Sequence, residues 1–170
     1  MKIKGEAYFD VAHNEKSPFK VIVKGQTIED IGTTFNINSY DDEPNIRTTL
    51  ITGSARVITD NGKSVVIKPN QMATIINSDQ ISVAQVNAQN AVDWKNGVFL
   101  FDKEPLESVM RKIARWYDVD IVYSGNEKIE EVFGGSITRY ASVSQVLRVL
   151  EVTGDVHFKI EGRKIIVSKK

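Results

Sequence analysis

The chain has 170 residues, with 22 Lys plus Arg balanced by 22 Asp plus Glu, and it has no cysteine. That length buries a sizeable core in one or two domains. Balanced charge without a dense basic run argues against a polyanion-binding surface, and the lack of cysteine removes disulfides, thiol catalysis and thiolate metal sites. No apolar run approaches the roughly 20 residues a membrane helix needs. The start, "MKIKGEAYFDV", enters a strand pattern with no apolar signal core, so the chain is read as a soluble piece whose anchor or leader lies outside it.

From Glu6 to about Val86 period two governs. The runs are "EAYFDV", "FKVIVK", "TIEDI", "TTFNINSY", "IRTTLIT", "SARVIT", "KSVVIKP", "QMATIIN" and "QISVAQV". Turn signals separate them at Gly25, Gly32, Gly53, Asp60-Asn61-Gly62 and Asn77-Ser78-Asp79. This predicts an all-β domain of about nine strands over residues 1–90. Alternation alone leaves a sandwich, a roll and a solenoid-like stack open.

The polar stretch "NAQNAVD" (87–93) then breaks the alternation and is read as the link to a second domain over residues 91–170, with Trp94 packed at the junction. Beyond it, Leu106, Val109, Met110, Ile113, Ala114 and Tyr117 follow helical spacing behind Pro105. Val143, Val146, Leu147 and Leu150 repeat that spacing, with a capping box at Ser142 and Gln145 and with Gly154 as the closing residue. A shift of 37 positions superposes the two segments, pairing Val109 with Val146, Arg111 with Arg148, Asp118 with Asp155, Val119 with Val156 and Gly125 with Gly162. The domain therefore reads as a small α+β fold built from two strand-helix-strand repeats, with both helices on one sheet and "KIIVSKK" as a last strand.

Chemistry is sparse. His13 and His157 fall in different predicted domains, in a polar loop and a strand, and both read as structural. Asp41, Asp42 and Glu43 lack the alternating oxygen ligands of a calcium loop and read as solvated. No phosphate-loop spacing is present, and Trp94, Trp116 and Tyr117 read as packing aromatics before sugar platforms. No metal, cofactor or convergent catalytic set is expected.

The order "GEAYFDVA…PFKVIVKGQTIEDIGTTFNINSY…TLITGSARV…KPNQMATI" resembles the extracytoplasmic domain of FecR-like anti-sigma factors. The following "DWKNGVFLFDKEPLESVMRKIARWYDVDIVY" and "FGGSITRYASVSQVLRVLEVTGDVHFKIEGRKIIV" resemble the C-terminal domain attached to them in Bacteroidota, itself similar to the secretin/TonB short N-terminal domain. The resemblance implies a non-enzymatic periplasmic signalling module of a protein anchored in the inner membrane. Its implied partner is the signalling domain of a TonB-dependent outer-membrane transporter, and the signal is relayed to an extracytoplasmic-function sigma factor by a cytoplasmic segment outside this chain. An envelope carbohydrate-binding or adhesion domain is the alternative.

Two sites follow. Some members of the family cut themselves at a Gly-Thr bond by an N-to-O acyl shift, and Gly32-Thr33 matches that position; Thr33 would be the nucleophile. The favoured reading is plainer: Gly32 is a turn that feeds "TTFNI" into the sheet with Phe35 and Ile37 toward the core. Partner binding is expected at an exposed sheet edge of the second domain, first in Phe133, Gly134, Gly135, Ser136 and Ile137, with "KIIVSKK" as runner-up.

Overall fold

The computed structural model describes residues 1–12, 19–30, 32–77, 80–125 and 129–170. His13, Ile31 and the Ser78-Asp79 turn signal lie outside them. The chain divides into two compact units, Met1–Val92 and Asp93–Lys170.

The first unit contains nine strands among its described residues: β1 (Gly5–Asp10), β2 (Phe19–Val23), β3 (Gln26–Asp30), β4 (Thr34–Ser39), β5 (Ile46–Thr52), β6 (Ala55–Thr59), β7 (Ser64–Ile67), β8 (Gln71–Asn77) and β9 (Gln80–Gln85). They form two antiparallel sheets, ordered β1-β4-β5-β8-β9 and β2-β3-β6-β7. Both sheets turn apolar side chains into one core that includes Val21, Ile28, Phe35, Ile37, Leu50, Val57 and Ile67. Of the architectures the alternation left open, the unit adopts the two-sheet sandwich. Gln26, fully buried on β3, donates from Nε2 to Thr48 Oγ1 on β5 at 2.9 Å and so ties the two sheets by a polar contact.

Alternation fails at the middle of β4 and β5, where Phe35-Asn36-Ile37 and Thr48-Thr49-Leu50 are buried in succession. Asn36 and Thr49 face each other across the ladder, on the side away from the shared core. A 3₁₀ turn at Ala88–Ala91 packs against β5. The stretch read as a polar link is thus structured: Asn70 Oδ1 accepts from Ala88 N at 3.3 Å, and Ala88 and Val92 are buried. Its polarity concealed two small apolar anchors at helical spacing.

The second unit runs β10 (Val98–Pro105), α1 (Leu106–Tyr117), β11 (Asp120–Tyr123), β12 (Val132–Thr138), α2 (Val143–Thr153), β13 (Val156–Glu161) and β14 (Lys164–Lys169). The two strand-helix-strand repeats are present, but the expectation of a single sheet fails: β10 pairs with β12 in one sheet, and β11-β14-β13 form another. Leu106, Val109, Met110 and Ile113 of α1 and Val146, Leu147 and Leu150 of α2 share one core with Phe99 and Phe133 from the first sheet and Phe158, Ile165 and Val167 from the second. Two small sheets cover more of the two apolar helices than one sheet reaches, which is the physical reason for the split. "KIIVSKK" is consequently no edge, because β14 lies between a parallel β11 and an antiparallel β13.

Helix ends follow local chemistry. Pro105 precedes α1, and Asp118 closes it in the left-handed region at φ 54°. The Ser142/Gln145 capping box opens α2. Gly154 closes α2 with φ −125°, so no left-handed turn requires a glycine there; a Cβ would instead stand 2.9 Å from Phe133 Cζ. Its role is to leave room for that ring.

Candidate functional site

The Gly32-Thr33 junction lies between β3 and β4, with Gly32 at φ 77°. Phe35 and Ile37 are fully buried, and Phe35 stacks on Phe9 at 4.9 Å between ring centroids. The turn therefore does what alternation asks of it. The two hydroxyls beside the glycine differ sharply. Thr34 Oγ1 donates to Asp10 Oδ1 at 3.2 Å, whereas Thr33 is 1% exposed and its Oγ1 has no hydrogen-bond partner among the described residues. The Thr33 carbonyl accepts from Val11 N at 3.0 Å, which holds the backbone in place.

A residue the sequence reading treated only as a turn signal completes this junction. Gly53, at φ 84° between β5 and β6, packs directly against it: a Cβ there would lie 2.5 Å from Thr33 Cγ2 and 2.9 Å from the Gly32 carbonyl oxygen. Those separations are far below van der Waals contact, so Gly53 shapes the space around the Gly32-Thr33 peptide.

In the second unit, β12 pairs on one side with β10 alone, and among the described residues no strand covers its other side. The pairing is anchored by Arg139 N donating to Gly97 O at 2.8 Å and by Leu106 N donating to Glu131 O at 2.9 Å. Backbone N–H and C=O groups of successive residues point to opposite sides of a strand. The odd-numbered positions of β12 thus face β10, and Val132, Gly134, Ser136 and Thr138 direct their backbone groups to the open edge. Side chains divide by the same parity. Phe133 is buried and Ile137 packs half-buried on the core, so neither offers a partner its side chain or its backbone groups, while Val132 is 57% exposed and Ser136 is exposed. Gly134 and Gly135 leave the strand bare, and a Cβ on either would meet nothing within 4 Å.

Trp94 belongs to the second unit, in a 3₁₀ turn at Asp93–Asn96. Its carbonyl accepts from Arg139 Nη1 at 2.9 Å. The Arg139 guanidinium lies 3.9 Å from the Trp116 ring centroid and 4.9 Å from that of Phe99, and Trp116 Nε1 returns a hydrogen bond to the Arg139 carbonyl at 2.8 Å. This cation-π stack engages the Trp116 and Phe99 rings. Tyr117 Oη donates to the Ala141 carbonyl at 2.7 Å. The stack was not legible in advance, since Arg139 carries no spacing signal relative to Trp116.

The remaining charged candidates are paired at the surface. Asp41 meets Lys4 Nζ at 2.5 Å, and that contact holds the Asp41 carboxyl below its usual range. His157 Nδ1 contacts Glu151 Oε1, which also accepts from Phe158 N at 3.2 Å. Foremost that backbone donor, and then His157, lower the Glu151 carboxyl below its ordinary value. Among the described residues no group of three or more His, Asp and Glu stands ready to hold a metal ion.

Comparison with protein families places a FecR protein match on residues 2–56 and a FecR C-terminal match on residues 98–167, one in each unit and in that order. The chain belongs to the FecR family. Gly32, Thr33 and Gly53 fall inside the FecR match, and all of β12 and α2 fall inside the FecR C-terminal match. Trp94 lies between the two. Two crystal structures of a candidate anti-sigma factor from Parabacteroides distasonis ATCC 8503, solved at 1.65 and 2.50 Å, share this fold with a TM-score of 0.90 and 24% identity, covering 99% of this FecR chain and 79% of that one. A comparison with curated proteins finds no match.

Proposed function

We propose that this FecR-family chain is the periplasmic sensing module of an anti-sigma regulator. It reads the state of a TonB-dependent outer-membrane transporter by binding that transporter's signalling domain, and the signal passes to an extracytoplasmic-function sigma factor. An anti-sigma signalling role is supported by the two ordered FecR matches and by the fold shared with the Parabacteroides protein. Relay across the inner membrane calls for an anchoring helix, and no helix of the described residues is long and apolar enough to cross a membrane. In this reading the relay runs through residues other than these.

The observation that carries the partner assignment is the open edge of β12. A strand from the transporter's signalling domain adds there, pairing its backbone with Val132, Gly134, Ser136 and Thr138. Val132 and the Ser136 hydroxyl supply side-chain contacts, and Gly134 and Gly135 admit close backbone approach.

Parity supplies the test. Ser136→Pro removes a donor from the open edge and places a ring in the path of an incoming strand, without taking a hydrogen bond from the β10 pairing. Ile137→Pro instead breaks that pairing. Titration calorimetry of the full chain against its transporter signalling domain should show Ser136→Pro weakening binding at least tenfold with thermal stability nearly retained. Ile137→Pro should lower the stability. Unchanged affinity of the folded Ser136→Pro protein excludes the β12 edge, and absence of any binding to a transporter signalling domain by the wild-type chain excludes the proposed partner.

A further inference from the structure

We infer that the outer face of α2 is a second docking surface, independent of the β12 edge, and that its occupant is an amphipathic helix carrying a carboxylate. The internal repeat provides the comparison. The offset of 37 sets Lys112 of α1 against Val149 of α2, and Arg115 against Val152. On α1 these positions are charged, and Lys112 is tied down: its Nζ pairs with Glu104 Oε2 at 2.6 Å and lies 5.7 Å from the Phe101 ring centroid. On α2 the same positions are apolar and open to water, with Val149 47% and Val152 77% exposed. The equivalent helix shows that this fold accepts charge there. Valine at these two positions contributes little to the unit's own core, and its exposure costs solubility without a folding return.

Together with Gln145, Arg148 and Thr153, the two valines line a shallow depression along one side of α2. Gln145, Val149 and Val152 follow the i, i+4, i+7 spacing that an amphipathic helix reads, and a helix flank has no unpaired backbone to offer a strand. Arg148 stands within the stripe. Among the described residues no acidic side chain pairs with it, and the carboxylate of the neighbouring Glu151 is engaged by His157 and Phe158 N. A cation beside two exposed valines asks for a partner with apolar residues flanked by an anion. A second copy of this chain is a poor fit, because five residues on one helix fall far short of the roughly 20 to 30 a side of a stable interface. A lipid surface is poorer still, since one arginine and two valines supply neither the basic face nor the broad apolar face of an interfacial helix.

The test uses the full chain, isotope-labelled for amide NMR, and two capped synthetic peptides. One carries leucines at helical spacing with a glutamate beside them, and the other has lysine in place of that glutamate. The glutamate peptide should shift amides of residues 145–153, and the lysine peptide should not. Arg148→Glu should weaken the glutamate peptide about tenfold and admit the lysine peptide. Val152→Asp should abolish binding of the glutamate peptide. Both residues are exposed, so an unchanged amide spectrum elsewhere verifies the fold of each variant. Equal binding of both peptides by the wild-type chain, shifts located elsewhere, or no shifts at all would overturn the inference. So would changes in α2 amides that track protein concentration alone, which would indicate a second copy, or changes that appear only with anionic vesicles, which would indicate lipid.

Discussion

Gly53→Ala probes how tightly the Gly32-Thr33 peptide is clamped. Two costs are involved, and a second glycine separates them. Gly53 has φ 84°, so alanine there adopts a left-handed backbone at about 1–2 kcal/mol. Its Cβ would also press on Thr33 Cγ2 at 2.5 Å and the Gly32 carbonyl oxygen at 2.9 Å, an overpacking worth about 1–3 kcal/mol. Gly62 has nearly the same backbone, φ 81°, with nothing within 4 Å of a Cβ. Gly62→Ala therefore carries only the first cost, and Gly53→Ala should be the more destabilising by about 1–3 kcal/mol. Thr33→Ser in the Gly53→Ala background removes the nearest contact and leaves the carbonyl contact, so recovery should be partial. The assay must report on the first unit, and both tryptophans, Trp94 and Trp116, belong to the second. Native-state hydrogen exchange of the β4 and β5 amides in the full chain meets that need. Equal losses for Gly53→Ala and Gly62→Ala would refute the clamp.

Thr33→Val replaces an unpartnered buried hydroxyl with a methyl of similar shape, and should stabilise the first unit by about 1 kcal/mol in the same exchange experiment; destabilisation would reveal a partner for Oγ1. If the Gly32-Thr33 bond is cut, Thr33 Oγ1 adds to the Gly32 carbonyl carbon, the C–N bond breaks and water hydrolyses the resulting ester, so Thr34→Val should keep the fragment beginning at residue 33, and Thr33→Val should lose it, by intact mass with and without hydroxylamine. Gly154→Ala should cost about 1–3 kcal/mol by pushing on Phe133 Cζ, whereas Gly134→Ala, with open space and no positive φ, should fold normally by thermal unfolding. Glu151 has its folded-state pKa lowered, so its contribution is present above its ordinary value near 4.5 and is lost as pH falls through the lower folded value. Acid titration followed by circular dichroism should accordingly show a shallower loss of stability below about pH 4.5 in Glu151→Gln, and an unaltered acid limb would remove Glu151 from the account.

Much of the fold was legible because its signals are local. The nine alternating runs each became a strand, since a half-buried strand writes its two faces directly into the residue order. Pro105 and the Ser142/Gln145 capping box marked the two helix starts. Sheet membership was not legible, because nothing local in "VDIVYS" or "KIIVSKK" says that β11 and β14 pair in parallel while β10 and β12 form a sheet apart. The same limit applied to the site. The Gly32-Thr33 pair could be read from the motif, but Gly53, some twenty positions on, meets it only through the β4-β5 ladder. Arg139 likewise joins Trp94, Phe99 and Trp116 from three separate segments.

The repeat explains why β14 is an interior strand while β12 is an edge. Each repeat contributes a leading strand and a following strand, and a simple duplication would leave both sheets with two strands and four bare edges. Among the described residues β14 has no counterpart in the first repeat. It inserts between the following strands, pairing Ile165 with both Ile121 and Ile160, and so is the interior strand of a three-stranded sheet whose edges are β11 and β13. The leading strands receive no such addition, and β12 keeps glycine at the two positions where a β-branched residue would most strengthen it. Bare edges invite aggregation, and the usual protections are a lysine, a proline or a bulge on the strand itself. β12 has none of these: its irregularity lies on β10, between Phe101 and Glu104, and its sequence is "VFGGSIT". An edge left without such protection is what a strand-accepting surface requires. Lysine substituted at Gly134 is expected to abolish partner binding while the fold of the second unit remains, and retained binding in the folded Gly134→Lys chain would show that partner contact occurs elsewhere.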